Sequence, residues 1–168
     1  MRYKNVTVDI VDVSMLLVLL VALAFFPKPL GEVAVITTIP LFKKRIAWTK
    51  FSPTYIALSL AVFTTAFVLD YLAMGPPSYI PAWWDVVVLT PLAEELVFRA
   101  APFALLPPPA SWIFAVVVFG ALHPANPLLA SLYGLALALM YRGGGYVASV
   151  ALHAFNNLIW LTLAASRL

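Results

Sequence analysis

No cysteine occurs in the chain, which excludes disulfides, a thiolate nucleophile and any zinc or iron–sulfur site built on thiolates. Glutamine is absent as well, and charge is scarce: Asp, Glu, Lys and Arg together make up 10% of 168 residues, against 64% apolar residues. A soluble domain carries about 25% and about 45–50% respectively. With a mean hydropathy of +1.00, one water-soluble core cannot hide this much apolar surface, which argues against both a soluble enzyme and a disordered chain. Lipid is the expected solvent. At about 20 residues per spanning helix, the length allows about six or seven spans and almost no extramembrane part, so residues 1–168 are expected to form a single membrane domain. The formal charge is +3. Its lysines and arginines are spread over loops and form no basic stripe, so no nucleic-acid partner is expected.

Turn residues divide the chain. A mixed polar leader precedes an apolar run at 14–26, read as the first membrane helix. Ala22-Leu23-Ala24 resembles a signal-peptide cleavage site, but Asp9 and Asp12 in the leader count against one. Pro27, Pro29 and Gly31 break the run. Residues 32–42 then give only about 16 Å of helix, either a short span or half of a hairpin. The segment 43–50, KKRIAWTK, holds four of the ten basic residues and is read as a cytoplasmic loop, with Lys28 as the exception to that orientation. Residues 54–74 form a clear span, followed by GPPSYIP at 75–81 and by Trp83 and Trp84 at an interface position. The next helix opens at Asp85 and runs to about Leu106, where Pro107-Pro108-Pro109 stops it. A further helix is expected over 111–123 with Ser111 as its N-cap. Helices over 128–142 and 146–165 follow, joined by a turn at Gly143-Gly144-Gly145.

Ionisable side chains in a bilayer core are costly and mark polar sites. The second half of the chain carries five of them in otherwise apolar helices, Glu94, Glu95, Arg99, His123 and His153, with Asn157 beside them. They are expected to converge on an interior cavity. Glu95 and Arg99 stand at i and i+4, as do Phe119 and His123, and His153 and Asn157. Glu94 is turned about 100° from Glu95 and so can face a different partner. Distances along the helices place Glu94 and His123 about 18–20 Å from the proline turn and His153 about 12 Å from the glycine turn, compatible with one mid-membrane site.

Each residue also has an ordinary structural reading. Glu95 and Arg99 would form an ion pair pinning helices together, and Glu94 a protonated, hydrogen-bonded carboxyl. His123 would be a wetted helix-end histidine, and His153 and Asn157 interhelical hydrogen-bonding groups. Phe119 is assigned to core packing, and Asp70 to the interface. The chemical readings are general-base activation of water by a glutamate assisted by imidazole, a zinc site on Glu94, His123 and His153, and a proton or ion relay. No HExxH helix, GxSxG serine or GxGD motif is present.

In order along the chain, these stripes read EExxxR (Glu94-Glu95 to Arg99), FxxxH (Phe119 to His123) and HxxxN (His153 to Asn157). The chain thereby resembles the CAAX protease and bacteriocin-processing membrane family, also called Abi or CPBP, over residues 82–165. Residues 1–80 carry no comparable signature, and Ala100 stands where many members have glycine. The resemblance implies an all-α polytopic membrane bundle of about six to eight helices with the polar site inside. It implies a glutamate-dependent endopeptidase for prenylated CAAX-type tails, in which Glu94 activates water, His123 positions it, and His153 and Asn157 donate to the oxyanion. Glu95 and Arg99 would orient the site. It implies no required cofactor, although the sequence leaves zinc open. A peptide or prenylated protein is the expected substrate, membrane lipid the surroundings and the cell membrane the location. The alternative is a non-catalytic member serving in bacteriocin self-immunity or partner binding.

Overall fold

Proline and glycine set the element boundaries. A computed structural model describes residues 9–167, and among these no strand occurs. Helix α1 is Ile10–Phe25, α2 is Leu30–Phe42, α3 is Pro53–Ala73, α4 covers 85–105 and α5 is Pro108–Ala121. A last helical run, Pro127–Ala165, is broken at Gly145 (φ 81, ψ −171) into α6 (127–144) and α7 (146–165). The two limbs fold back on each other. The Ser149 hydroxyl lies 3.1 Å from the Leu137 carbonyl oxygen, whereas twelve residues of straight helix would separate them by about 18 Å. The glycine turn expected from the sequence is therefore a helical hairpin.

The basic segment 43–50 closes over that hairpin. Tyr146 N–H donates to Ala47 O (2.8 Å), Val147 N–H to Trp48 O (3.1 Å), Lys50 N–H to Gly144 O (3.1 Å) and Ser52 N–H to Gly143 O (2.8 Å). This pairing needs glycine at 145, because a Cβ there would sit 2.7 Å from the carbonyl oxygens of both Ala47 and Trp48. Its backbone also lies in a region essentially closed to other residues, at a cost of about 1–3 kcal/mol. Gly145→Ala should accordingly lower stability by at least that amount, read as a fall in Tm in detergent. An unchanged Tm would mean that the turn relaxes freely.

Asp9 caps α1, its carboxylate accepting from Val11 N–H at 3.0 Å. Asp12 pairs with Arg45 at 2.9 Å and so ties α1 to the basic segment. Helix α2 loosens at Thr37-Thr38, whose hydroxyls donate back to the carbonyls of Ala34 and Val35. The proline run corrects one sequence expectation: Ser111 is not an N-cap. Pro107 is extended and α5 begins at Pro108, because proline's fixed φ suits a first helical turn and its missing N–H is not needed there. Ser111 lies inside the helix and donates to Pro108 O. Similarly Pro127 opens α6, capped by Asn126.

The buried apolar cluster centres on α4. Leu96, Val97, Phe98, Ala100, Ala101 and Leu105 pack against Leu16 and Leu19 of α1, Val35 and Phe42 of α2, and Phe119 of α5. The outer faces stay apolar, with Leu58, Leu69 and Leu72 of α3 and Phe155 and Leu158 of α7 exposed. Helix α3 (Pro53–Ala73) and the run Pro127–Ala165, the latter bent into two limbs at Gly145, have the length and hydropathy of membrane-crossing segments.

Candidate active site

The site is built on α4, and two prolines shape that helix. Residues 85–89 and 96–100 form π-helical turns, followed two residues later by Pro91 and Pro102. In the first turn Thr90 N–H reaches back to Asp85 O. The π register would then offer residue 91 to Val86 O, and proline has no N–H. Asn157 supplies the missing donor, its Nδ2 lying 2.7 Å from Val86 O. Such wide turns are frequent at functional sites, and here the two bracket Glu94 and Glu95.

Glu95 is fully buried and acts as the hub. Its Oε1 accepts from Arg99 Nη1 at 3.0 Å and from His153 Nδ1 at 2.9 Å, and its Oε2 accepts from the Ser149 hydroxyl. Arg99 is equally buried, and its Nε and Nη2 find no hydrogen-bond partner among the described residues. The ring of Phe119 takes their place, with the guanidinium carbon 4.1 Å from the ring centroid, where the quadrupole attracts the cation. Phe119 also packs against His123 (centroids 4.5 Å apart). Its role is therefore wider than the core packing assigned from sequence: it holds the arginine and the histidine together.

With Nδ1 committed to Glu95, His153 directs Nε2 toward Glu94, whose Oε2 is 3.9 Å away. That gap is too long for a direct hydrogen bond and short enough for one water molecule to touch both groups. Glu94 thus does not turn to a different partner, as its position on the helix suggested; the two carboxylates share one imidazole. The Glu94 side chain keeps 14% exposure where Glu95 has none, and Arg99 makes its direct contact with Glu95. His123 Nδ1 lies 2.7 Å from Phe119 O. Donation there leaves its Nε2 free.

These groups face two cavities that meet at His123. One of about 160 Å³ is lined by His123, His153, Asn156, Asn157 and Tyr133. The other, about 320 Å³, lies between α1 and α4 and is lined by Glu94, His123, Lys28 and apolar residues including Leu20 and Leu23. Glu94, His123 and His153 do not form a single cluster. Among the described residues no group of three His, Asp or Glu side chains is placed to hold one metal ion.

Sequence reasoning passed over four participants. Ser149 extends the His153–Asn157 stripe by one turn, and its i, i+4 spacing to His153 was the available signal. Tyr146 donates to Leu92 O at 2.7 Å from the same helix. Buried Glu32 lies 3.1 Å from Lys28 Nζ, and Lys28 also donates to Thr90 Oγ1 at 3.2 Å. A carboxylate in the apolar segment EVAVITTIPLF was the clue to Glu32. Lys28, an outlier in the loop-charge reading, serves the site side of the bundle.

The family model described as type II CAAX prenyl endopeptidase Rce1-like matches residues 76–159, half of the chain, and spans all three polar stripes. The chain belongs to this family. No curated protein and no solved structure matches it. The Rce1-like family is one of membrane-embedded endopeptidases, and the two long apolar helical runs fit that setting. The N-terminal helices α1–α3 lie outside the match, yet α1 forms a wall of the cavity that holds Glu94.

Proposed function

We propose that this Rce1-like protein is a multi-pass intramembrane endopeptidase that uses Glu94 to activate water and cuts near the C-terminus of a prenylated CAAX-type substrate. The observation that carries the mechanism is the division of labour between the paired glutamates. Glu95 is spent on Arg99, His153 and Ser149, while Glu94 Oε2 lies 3.9 Å from His153 Nε2, so that one water beside the pair can touch both. Glu94 takes a proton from that water as its oxygen attacks the scissile carbonyl carbon. The resulting oxyanion is met by His153 Nε2 in its protonated form and by the second amide N–H of Asn157. Glu94 then returns the proton to the leaving nitrogen as the C–N bond breaks. We assign His123 to positioning the water, which requires its Nε2 to close on the Glu94–His153 pair once substrate fills the two cavities that His123 lines. Aimed donors of this kind are worth about 2.7–4 kcal/mol each. Phe119 and Arg99 keep the two histidines in place, and no cofactor enters the scheme. The apolar wall of α1 beside Glu94 suits a prenyl chain entering from lipid, and the cell membrane is the proposed location.

The test is incubation of detergent-purified protein with a farnesylated CAAX peptide and its unprenylated counterpart, with products read by mass spectrometry. Release of a C-terminal tripeptide from the farnesylated peptide is expected, with slower cleavage of the other. Cleavage should survive a chelator. Loss with chelator would move Glu94, His123 and His153 into a metal site, and no cleavage of either peptide would remove the prenyl assignment.

A further inference from the structure

Asn156 precedes the asparagine of the HxxxN stripe and belongs neither to that stripe nor to the Glu95 network. It lines two cavities at once. One is the 160 Å³ cavity of His123, His153 and Asn157. The other, of about 550 Å³, lies at the end of the bundle among Asp70, Gly75, Pro77, Asn126 and Trp160.

A chain of bonds that starts in the backbone fixes how its amide points. Pro91 leaves Val86 O without a main-chain donor, so Nδ2 of Asn157, and not Oδ1, must face that carbonyl. Oδ1 of Asn157 consequently turns toward Asn156 and accepts from its Nδ2 at 3.3 Å. Oδ1 of Asn156 is left over, covered and without a hydrogen-bond partner among the described residues. A buried acceptor without a donor is costly. Asn156 stands at the junction of a reaction cavity and an open groove, so a turn of its side chain would bring this covered oxygen to a donor arriving from outside.

We propose that Asn156 is a positioning residue for an extended peptide: the 550 Å³ groove holds the chain, and Asn156 Oδ1 accepts a main-chain N–H as the chain passes toward His153. The main-chain amide is the one donor that peptide residues other than proline all present, repeated at about 3.3–3.6 Å per residue, so the contact fixes register without selecting a side chain. The identity of the ligand as a peptide rests on the endopeptidase reading above.

The test is an N-methyl scan. Single backbone N-methyl groups are placed at successive positions of the CAAX peptide, and binding is measured on the Glu94→Gln protein, so that the readout does not depend on turnover. One position is expected to weaken binding roughly tenfold. In Glu94→Gln/Asn156→Ala that position should lose its effect, while the unmodified peptide binds roughly tenfold more weakly than to Glu94→Gln. Asn156→Val serves where the alanine variant does not fold. Equal sensitivity with and without Asn156, or no saturable binding of any peptide, overturns the proposal. Cleavage by the wild type is scored separately. Turnover without an Asn156-dependent position sinks this inference and leaves the endopeptidase standing, and an Asn156-dependent position without turnover does the reverse.

Discussion

Glu94→Gln should lose peptide cleavage by about 10²–10⁴-fold while melting like the wild type. The substitution keeps the shape of the side chain and removes only its capacity to take a proton. Glu94 makes no direct hydrogen bond that the change would break: His153 Nε2 is 3.9 Å from its carboxylate, and its side chain is partly exposed to a cavity. Glutamine fills the same volume and keeps hydrogen-bonding atoms at both positions, so the fold is expected to hold. The measurement is kcat/KM on the farnesylated peptide beside a thermal melt in the same detergent. Retained activity in a folded Glu94→Gln protein would remove the glutamate mechanism whatever the substrate.

For Arg99→Ala the expected loss is of folding, about 3–5 kcal/mol, the cost of breaking a buried pair by removing one partner. The truncation leaves the fully buried Glu95 carboxylate with only Ser149 and His153 as donors and opens a hole beside the Phe119 ring, where the guanidinium sat. Yield and Tm should both fall well below those of Glu94→Gln. Replacing both members, as in Glu95→Leu/Arg99→Leu, removes the stranded charge and should recover much of the stability, since apolar replacements of buried pairs are often neutral. It should not recover cleavage, because His153 loses the carboxylate that fixes its ring. Equal, normal melting of Arg99→Ala and Glu94→Gln would refute this ordering. So would activity in the folded double variant.

The separation between these two outcomes has a local cause. Adjacent glutamates on one helix cannot occupy the same environment, and α4 turns one into the core and the other into a cavity. His153 touches the consequences of both, with Nδ1 toward Glu95 and Nε2 toward Glu94. A single imidazole thereby couples the residue that holds the site together to the residue assigned the chemistry.

The all-helical fold, the glycine turn and the three polar stripes are legible in the sequence. They depend on local rules: proline and glycine punctuate helices, and groups four residues apart share a helix face. Those rules also give the Glu95–Arg99 contact, which lies within one helix. They do not decide what crosses between helices. The π turns at 85–89 and 96–100 shift the facing of α4 on either side of the paired glutamates, so a count at 3.6 residues per turn does not show that His153 meets both carboxylates. Ser149 on Glu95, Phe119 under Arg99, Asn157 on the carbonyl orphaned by Pro91, and Lys28 and α1 around the cavity of Glu94 are all decided by packing. Sequence spacing fixes the angle of a side chain about its own helix axis, and only the tertiary arrangement of the axes decides which side chains meet.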